Sequence, residues 1–206
     1  MHEAVELKDG VYWVGAVDWD VRDCHGYTTN RGTTYNAYLV RGDKTARIDT
    51  VKAPFYPELV SRIKSVMDPS KIDYLVVNHV EMDHSGSVPL FMELAPNAAI
   101  VATDHGSKGL PRHFHHEWPI HKVKTGSELA LGEKTLYFLE AYMLHWPDSM
   151  FTYLKEDSIL LPNDGFGQHY ASYKRFDDED GHLDTIMDEA AKYFANILMP
   201  LAPLIP

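Results

Sequence analysis

The stretch Asn78-His79-Val80-Glu81-Met82-Asp83-His84-Ser85-Gly86-Ser87 is the most informative part of this sequence. The apolar run Tyr74-Leu75-Val76-Val77 directly before it predicts a buried strand, and functional residues concentrate on loops that a rigid scaffold positions. A helix could not direct all the candidate ligands in this stretch to one centre, so we predict a loop that folds around a metal. The candidate ligands fall within six residues: His79, Glu81, Asp83 and His84.

Histidine and carboxylate together are ligands typical of zinc, iron, manganese or cobalt, whereas calcium and magnesium prefer oxygen alone. The alternative interpretation is a polar surface loop, which any one of these residues alone would deserve. Four of them after an apolar strand, followed by Ser85-Gly86-Ser87 for a tight turn, favour the metal site.

Two later residues fit the same centre. His145 follows a predicted strand at 135–140, and Asp164 follows another at 158–161. An α/β layer gathers its site along the edge where strands end. A carboxylate such as Asp164 can bridge two cations, which would suit a dinuclear centre, although each residue alone would more often belong to a turn.

The order of predicted strands and helices indicates a layered α/β architecture. An Arg41-Gly42-Asp43-Lys44 turn predicts a hairpin between strands at 33–40 and 45–48. An acidic loop is expected at 177–181, and an apolar, proline-rich segment at 199–206. Helices are predicted at 57–67, 89–94 and 183–198, and further strands at 11–16, 74–77, 98–102, 119–123, 135–140, 150–154 and 158–161.

Composition narrows the class of protein. The 206 residues, 45% of them hydrophobic and 24% charged, are typical of one globular domain or two small ones. A net charge of −11 disfavours binding to nucleic acid, and no apolar stretch approaches the roughly 20 residues that a membrane helix needs. The single cysteine, Cys24, excludes an internal disulfide and fits a reducing, cytoplasmic compartment.

These motifs resemble the diiron domain of the flavodiiron proteins. The resemblance rests on His79-x-Glu81-x-Asp83-His84, on His145 in His-Trp-Pro-Asp-Ser-Met and on Asp164 in Asn-Asp-x-Phe-Gly-Gln-His. Residues 24–36 and 192–198 are also similar to that family, so the resemblance covers essentially the whole chain. It implies the α/β αββα sandwich of the metallo-β-lactamase fold.

The resemblance also implies a ligand set for two iron ions. One iron would take His79, Glu81 and His145. The other would take Asp83 and a further histidine, with His84 close to it, and Asp164 would bridge the two. Related zinc hydrolases generally carry histidine at the place of Glu81, and a carboxylate there favours iron.

The family's reaction is reduction of dioxygen to water or of nitric oxide to nitrous oxide. His25 and Tyr193 would line the substrate pocket, although His25 could be a supporting or packing histidine and Tyr193 a core tyrosine. Asp49 would hold a ligand histidine in the right tautomer. Trp146 would lie near an FMN from the opposing subunit of a head-to-tail homodimer, and Glu81 and Trp146 are the predicted cofactor-binding residues.

The chain departs from the family pattern after its last predicted helix. The family has a sixth ligand, a histidine, in a later segment, and a C-terminal flavodoxin-like domain that binds FMN and receives electrons from a rubredoxin-type donor. This sequence shows neither before Pro206. The expectation is therefore an incomplete metallo-β-lactamase-like domain over residues 1–206, truncated on its C-terminal side, as a fragment or as one part of a split protein.

Two other functions remain open on the sequence. One is a zinc-dependent hydrolase of the same fold, against which Glu81 argues. The other is an inactive remnant that acts as a binding partner. The segment His113-Phe114-His115-His116-Glu117 is predicted to be an exposed loop after a Gly109-Leu110-Pro111 break, with adventitious metal binding at most.

Overall fold

The computed structural model describes residues 2–205. The strands are β1 (Val5–Lys8), β2 (Val11–Trp13), β3 (Ala16–Asp18), β4 (Asp23–Cys24), β5 (Tyr27–Thr28), β6 (Thr33–Tyr35), β7 (Tyr38–Arg41), β8 (Thr45–Ile48), β9 (Tyr74–Val76), β10 (Ala99–Ala102), β11 (Ile120–Lys122), β12 (Glu128–Ala130), β13 (Thr135–Glu140), β14 (Met150–Leu154) and β15 (Ile159–Leu161). The α-helices are α1 (Tyr56–Lys64), α2 (Met82–Ser85), α3 (Val88–Leu94), α4 (Asp104–Phe114), α5 (Asp177–Asp180) and α6 (Leu183–Tyr193).

Two sheets form the body of the molecule. The larger sheet has the order β1-β2-β7-β8-β9-β10-β11, and the smaller has the order β12-β13-β14-β15. Strands β8 to β11 are parallel, and α1, α3 and α4 supply the crossovers that parallel pairing requires. The predicted hairpin is present as β7 and β8, paired from Tyr38 with Ile48 to Arg41 with Thr45.

The core lies on both faces of the larger sheet. Between the two sheets, Ile48, Val76 and Val101 pack in one buried cluster with Phe138 and Met150 of the smaller sheet. The opposite face is covered by the helices, which contribute a second set of fully buried residues. These are Leu59 and Ile63 of α1, Phe91 of α3 and Leu110 of α4, packed with Leu39, Leu75 and Ile100. Strands covered on both faces explain the continuous apolar run at β9.

The strands predicted at 11–16 and 33–40 are each split in two. Both breaks occur where the chain leaves the larger sheet for a small β3–β6 ladder that pairs Ala16 with Tyr35. Gly15 makes the crossing possible, because a Cβ there would lie 2.0 Å from the carbonyl oxygen of Tyr35. Only a residue without a side chain permits so close an approach of two backbones.

The prediction of a break at Gly109-Leu110-Pro111 was wrong. These residues lie inside α4, which begins at Asp104 with the Thr103 side chain accepting a hydrogen bond from the Gly106 backbone amide, and which ends at Phe114. Pro111 removes the backbone hydrogen bond that a residue at this place in the helix would donate to the Ser107 carbonyl oxygen. Burial of Leu110, and of the Gly109 backbone against Val80, favours the helix despite that loss.

The C-terminal region also differs from the prediction. The acidic run at 177–181 contains the short helix α5, and its Asp180 accepts hydrogen bonds from the side chains of Tyr170 and Ser172. After α6 the chain continues as a π-helical turn (Phe194–Leu198), and the apolar, proline-rich segment that follows contains a 3₁₀ helix (Met199–Leu204). Pro206 lies outside the described residues. Between residues 2 and 205, no helix is both long and apolar enough to cross a bilayer.

Candidate metal centre

The predicted ligands meet where the ends of both sheets come together. His79 and Glu81 follow β9 in the larger sheet, while His145 and Asp164 follow β13 and β15 in the smaller one. A hydrogen bond from the Met150 backbone amide to the Asn78 carbonyl oxygen, 3.0 Å long, connects the two sheets at this point. These side chains therefore lie together where strands end, but the strands belong to two sheets and not to one edge of a single sheet.

Four ligand atoms form a first group, which we call the His79 cluster: His79 Nε2, Glu81 Oε2, His145 Nε2 and Asp164 Oδ2. Glu81 Oε2 lies 3.2 Å from each of the two histidine nitrogens, and Asp164 Oδ2 lies 3.1 Å from His145 Nε2 and 3.6 Å from His79 Nε2. Bonds of about 2.1 Å to one central ion would separate tetrahedral ligands by about 3.4 Å. The spacing is thus that of atoms around a single metal ion.

The Asp83 cluster is the second group and consists of Asp83, His84 and Asp164. His84 Nε2 lies 2.9 Å from Asp164 Oδ1 and 3.6 Å from Asp83 Oδ2. Both Asp83 and His84 stand on the single helical turn α2, where the sequence predicted loop. The four residues of the predicted stretch therefore do not converge on one centre: two face each cluster.

Asp164 belongs to both clusters. Its Oδ2 faces His79 and His145, and its Oδ1 faces His84. The 3₁₀ turn Asn163–Phe166 after β15 holds this side chain in the interior, 6% exposed. A carboxylate with one oxygen directed at each of two groups has the arrangement that bridging two cations requires.

The carboxylate that supports a ligand histidine is Asp148, not Asp49. Asp148 Oδ2 lies 3.0 Å from His79 Nδ1 and also accepts a hydrogen bond of 2.8 Å from the Val80 backbone amide. Asp49 instead accepts hydrogen bonds from the backbone and side-chain nitrogens of Asn78. Sequence reasoning missed Asp148, although it stands only three residues after His145; its burial at 5% exposure becomes apparent only in the fold.

The electrostatics of the centre favour charged carboxylates. Burial opposes ionisation of Glu81, but hydrogen bonds with His145, His25 and His79 outweigh it and hold its pKa well below the usual range. Burial of Asp164 is likewise outweighed by the charge of His84 and hydrogen bonds with His145 and His84, so its pKa is also lowered. The centre thus presents ionised oxygens to any cation that enters.

The histidines show the complementary shift. Burial lowers the pKa of His79, but hydrogen bonds with Asp148 and Glu81 raise it to about 9. Burial of His84 is outweighed by the charges of Asp164 and Asp83, and its pKa lies well above the ordinary value. Without metal, His79 and His84 are therefore charged at neutral pH. The added proton of each ring occupies the place that a metal cation would take.

The residues present fit two metal ions. The donor set of imidazole nitrogens and carboxylate oxygens is the one that iron, manganese and zinc accept. In addition, the buried atoms Asp83 Oδ1 and His84 Nδ1 have no hydrogen-bond partner within the described part of the chain. Such orphaned buried polar atoms are costly unless an ion or ordered water satisfies them.

A cavity of about 500 Å³ reaches the Asp83 cluster. Asp83, His84 and Asp164 line it together with His169 and Tyr193. Tyr193 is 1% exposed, and its hydroxyl lacks a hydrogen-bond partner among residues 2–205. The side chain of Tyr193 thus points into the interior, as its place on the last helix allowed.

His25 lies against both clusters. Its Nε2 is 3.3 Å from Glu81 Oε1 and 3.9 Å from Asp83 Oδ2, and its ring lies edge-on to Tyr193 with centroids 6.2 Å apart. Burial would lower the pKa of His25, but its interactions with the neighbouring Cys24 and Glu81 raise it to about 11. His25 is therefore a charged donor directed at the carboxylates of the centre.

Trp146 borders the other side of the His79 cluster. Its half-buried ring stands perpendicular to that of His79, with centroids 5.1 Å apart. The opposite contact is with His113, whose ring is stacked at 6.0 Å and 25°. His113 was predicted to lie in an exposed loop; it is exposed, but it lies in the last turn of α4, where its ring stacks on that of Trp146.

The comparisons with known proteins agree with this geometry. A model described as ODP family beta lactamase matches residues 33–200. The structure of rubredoxin oxygen:oxidoreductase from Desulfovibrio gigas superposes with a TM-score of 0.95 at 45% identity, covering 98% of this chain and 51% of that one. The flavodiiron protein from Giardia intestinalis gives 0.92 at 41% identity, covering 96% and 48%. The layered sheets and the site define a protein of the metallo-β-lactamase-like fold.

A curated relative, the nitric oxide reductase of Moorella thermoacetica, is 55% identical over all of this chain and 52% of its own length. The rubredoxin-oxygen oxidoreductase of Megalodesulfovibrio gigas is 46% identical over 98% of this chain and 50% of its own. The chain belongs to the flavodiiron family and corresponds to its N-terminal metallo-β-lactamase-like domain. It spans about half the length of the curated relatives it matches.

Proposed function

We propose that this chain is the diiron part of a reductase that converts nitric oxide to nitrous oxide, dioxygen to water, or both. The observation that carries the proposal is Asp164, which directs one oxygen to the His79 cluster and the other to the Asp83 cluster. Relatives named as a nitric oxide reductase and a rubredoxin-oxygen oxidoreductase support this choice of substrates.

The proposed ligands divide between two iron ions. His79, Glu81 and His145 would hold one ion, Asp83 and His84 the other, and Asp164 would bridge them. Glu81 favours iron over zinc, because it gives the first ion an oxygen ligand where a histidine would make the site richer in nitrogen. The 2.9 Å approach of His84 Nε2 to Asp164 Oδ1 supports a ligand role for His84.

When bound, two ferrous ions would supply electrons to a diatomic substrate. The chain itself would donate hydrogen bonds and form the substrate pocket. His25 presents Nε2 at the boundary between the clusters, where it would donate a hydrogen bond to substrate. Tyr193 closes the same region, and its unpartnered hydroxyl is a second candidate donor. Both residues would thus act as pocket residues and not as ligands.

Electrons would enter beside Trp146. The perpendicular contact of its ring with His79 makes it the aromatic side chain that an external donor would approach. We propose that the donor is an FMN on a flavodoxin-like domain, contributed by the opposing subunit of a head-to-tail dimer. A rubredoxin-type protein would reduce that FMN. Relatives named flavorubredoxin and rubredoxin-oxygen oxidoreductase support a rubredoxin-type donor.

Metal analysis and turnover together test the proposal. The purified chain should bind about two irons, and it should consume nitric oxide under anaerobic conditions when a reduced flavodoxin domain is supplied. Glu81→Ala should lower both quantities, whereas a substitution of the exposed Asp178 should change neither. Zinc without iron would support a hydrolase instead, and full iron with no consumption of nitric oxide or dioxygen would refute the reductase activity.

A further inference from the structure

A third group of potential ligands lies next to the metal centre and has no residue in common with the His79 cluster or the Asp83 cluster. Cys24, His25 and His169 each direct a ligand atom to a common region, with all three atoms within 4.8 Å of one another. Cys24 is 8% exposed and His169 is 5% exposed, and the His25 side chain is 9% exposed. The β4–β5 hairpin carries Cys24 and His25, while His169 lies in the segment that follows β15.

The two histidines have free nitrogens directed inward. His169 Nδ1 lies 2.9 Å from Thr33 Oγ1, which fixes the orientation of the ring and leaves Nε2 buried with no hydrogen-bond partner in residues 2–205. His25 Nδ1 is likewise buried and unpartnered, because the contact with Glu81 uses Nε2. A ring held by a hydrogen bond through one nitrogen, with the other nitrogen free, is the arrangement of histidines that bind metals.

We propose that Cys24, His25 and His169 form a third metal site, separate from the carboxylate centre, which takes a thiophilic ion, Zn²⁺ or Cu⁺. Thiolate and imidazole are the ligands that these ions prefer, whereas the other two clusters contain no sulfur. Binding releases the Cys24 thiol proton and the Nδ1 proton of charged His25 to solvent, so that the thiolate and the neutral imidazole become ligands. The three ligand atoms lie within 4.8 Å of one another, and metal bonds of about 2.0–2.3 Å would hold them about 3.5 Å apart.

Such an ion would be coupled to the carboxylate centre through His25. Coordination at Nδ1 leaves the proton on Nε2, which faces Glu81 Oε1 at 3.3 Å. His25 would then hold one fixed tautomer and donate to a ligand of the neighbouring centre. The third site would therefore change the surroundings of Glu81 without sharing any ligand with either of the other clusters.

The single cysteine makes the experiment unambiguous. In the iron-loaded protein, Co²⁺ is added as a spectroscopic substitute, and a thiolate-to-cobalt charge-transfer band can arise only from Cys24. We expect this band at one equivalent of Co²⁺ and its displacement by Zn²⁺ or by Cu⁺ added without oxygen. Which of these ions displaces Co²⁺ at lower concentration then identifies the preferred one.

Cys24→Ser should abolish the band with the iron content unchanged, and His169→Gln should weaken Co²⁺ binding, while the exposed His121→Gln serves as the matched control. Absence of the band in the unaltered protein overturns the proposal, even if Cys24→Ser fails to fold. So does an unchanged Co²⁺ affinity in His169→Gln. The band does not depend on turnover, so failure of the reductase proposal would leave this result distinguishable.

Discussion

The two clusters that share Asp164 differ in how completely neighbouring residues hold their ligand atoms in place. In the His79 cluster, four ligand atoms lie 3.1–3.6 Å apart, and Asp148 fixes the imidazole of His79 from behind. In the Asp83 cluster, Asp83 Oδ1 and His84 Nδ1 have no partner in the described part of the chain, and the cavity opens beside them. The ligands of the first cluster are preorganised, whereas the second leaves buried ligand atoms unsatisfied beside the cavity.

This difference predicts unequal roles for the two ions. Preorganised ligands lose little entropy when a metal binds, whereas ligands without partners must still be ordered. The His79 cluster should therefore bind its ion more tightly, and the Asp83 cluster should exchange its ion and receive substrate. The following predictions test this inequality.

Removing the shared carboxylate should have the largest effect. Asp164→Ala takes one oxygen from each cluster, so the iron content should fall from about two per chain to less than one. Metal analysis after desalting measures this loss. The exposed Asp178→Ala is the matched control and should retain its iron. Retention of both irons by Asp164→Ala would show that Asp164 is not a ligand of either ion.

Removing one ligand from each cluster should separate the two ions. His84→Ala should lose the ion of the Asp83 cluster and keep the other, which leaves about one iron per chain. His79→Ala should empty the tighter site and leave only weakly held metal, which a chelator removes. Stepwise removal of iron by a chelator distinguishes the two variants, and identical release curves would contradict the inequality.

A smaller effect is expected from substitution of Asp148, which orients the ligand His79. Asp148→Asn keeps the shape of the side chain but removes the charge that orients His79 through Nδ1. Loss of such a supporting carboxylate typically lowers metal affinity by about 10–100-fold. A competition titration should show this loss for the tighter ion alone. Weakening of the other ion instead would place the support at the Asp83 cluster.

The smallest expected effect is on proton release. Hydrogen bonds with Asp148 and Glu81 overcome the effect of burial and raise the pKa of His79 to about 9 in the metal-free chain, so metal must displace its proton below that pH. Apparent metal affinity should rise with pH up to about 9. Because the folded-state pKa exceeds the ordinary value, the metal-free chain should lose stability as pH rises from about 6.5 to about 9.

Calorimetric titrations in buffers of different ionisation enthalpy count the released protons, and urea denaturation at several pH values gives the free energy of unfolding. Metal-loaded chain is the control, since its bound ion holds His79 as the neutral imidazole, with its remaining proton directed at Asp148, and removes this dependence on pH. No proton release at pH 7 would contradict the protonated state of His79.

The sequence predicted several strands well, because they depend on local patterns, and it singled out side chains that lie together in the structure; their role as ligands stays a prediction. The strands at β9 and at Thr135–Glu140 can be recognised from their own residues, without knowledge of the strands they pair with. The role of Asp148 could not be predicted from the sequence, since nothing in its neighbouring residues distinguishes it from Asp49. Only the folding of the β13–β14 loop toward β9 brings it to His79. Pro111 led to the wrong prediction of a break for a similar reason. Packing of α4 on the sheet outweighed the tendency of proline to end a helix.

The position of Trp146 has an optical consequence. Its indole lies in contact with the imidazole of His79 on one side and that of His113 on the other. Iron at the His79 cluster would quench its emission by electron transfer over this short path. The fluorescence of the chain should therefore decrease as the ion of the His79 cluster binds, while the emission of the other three tryptophans changes less. The protein carries its own reporter of which cluster fills first.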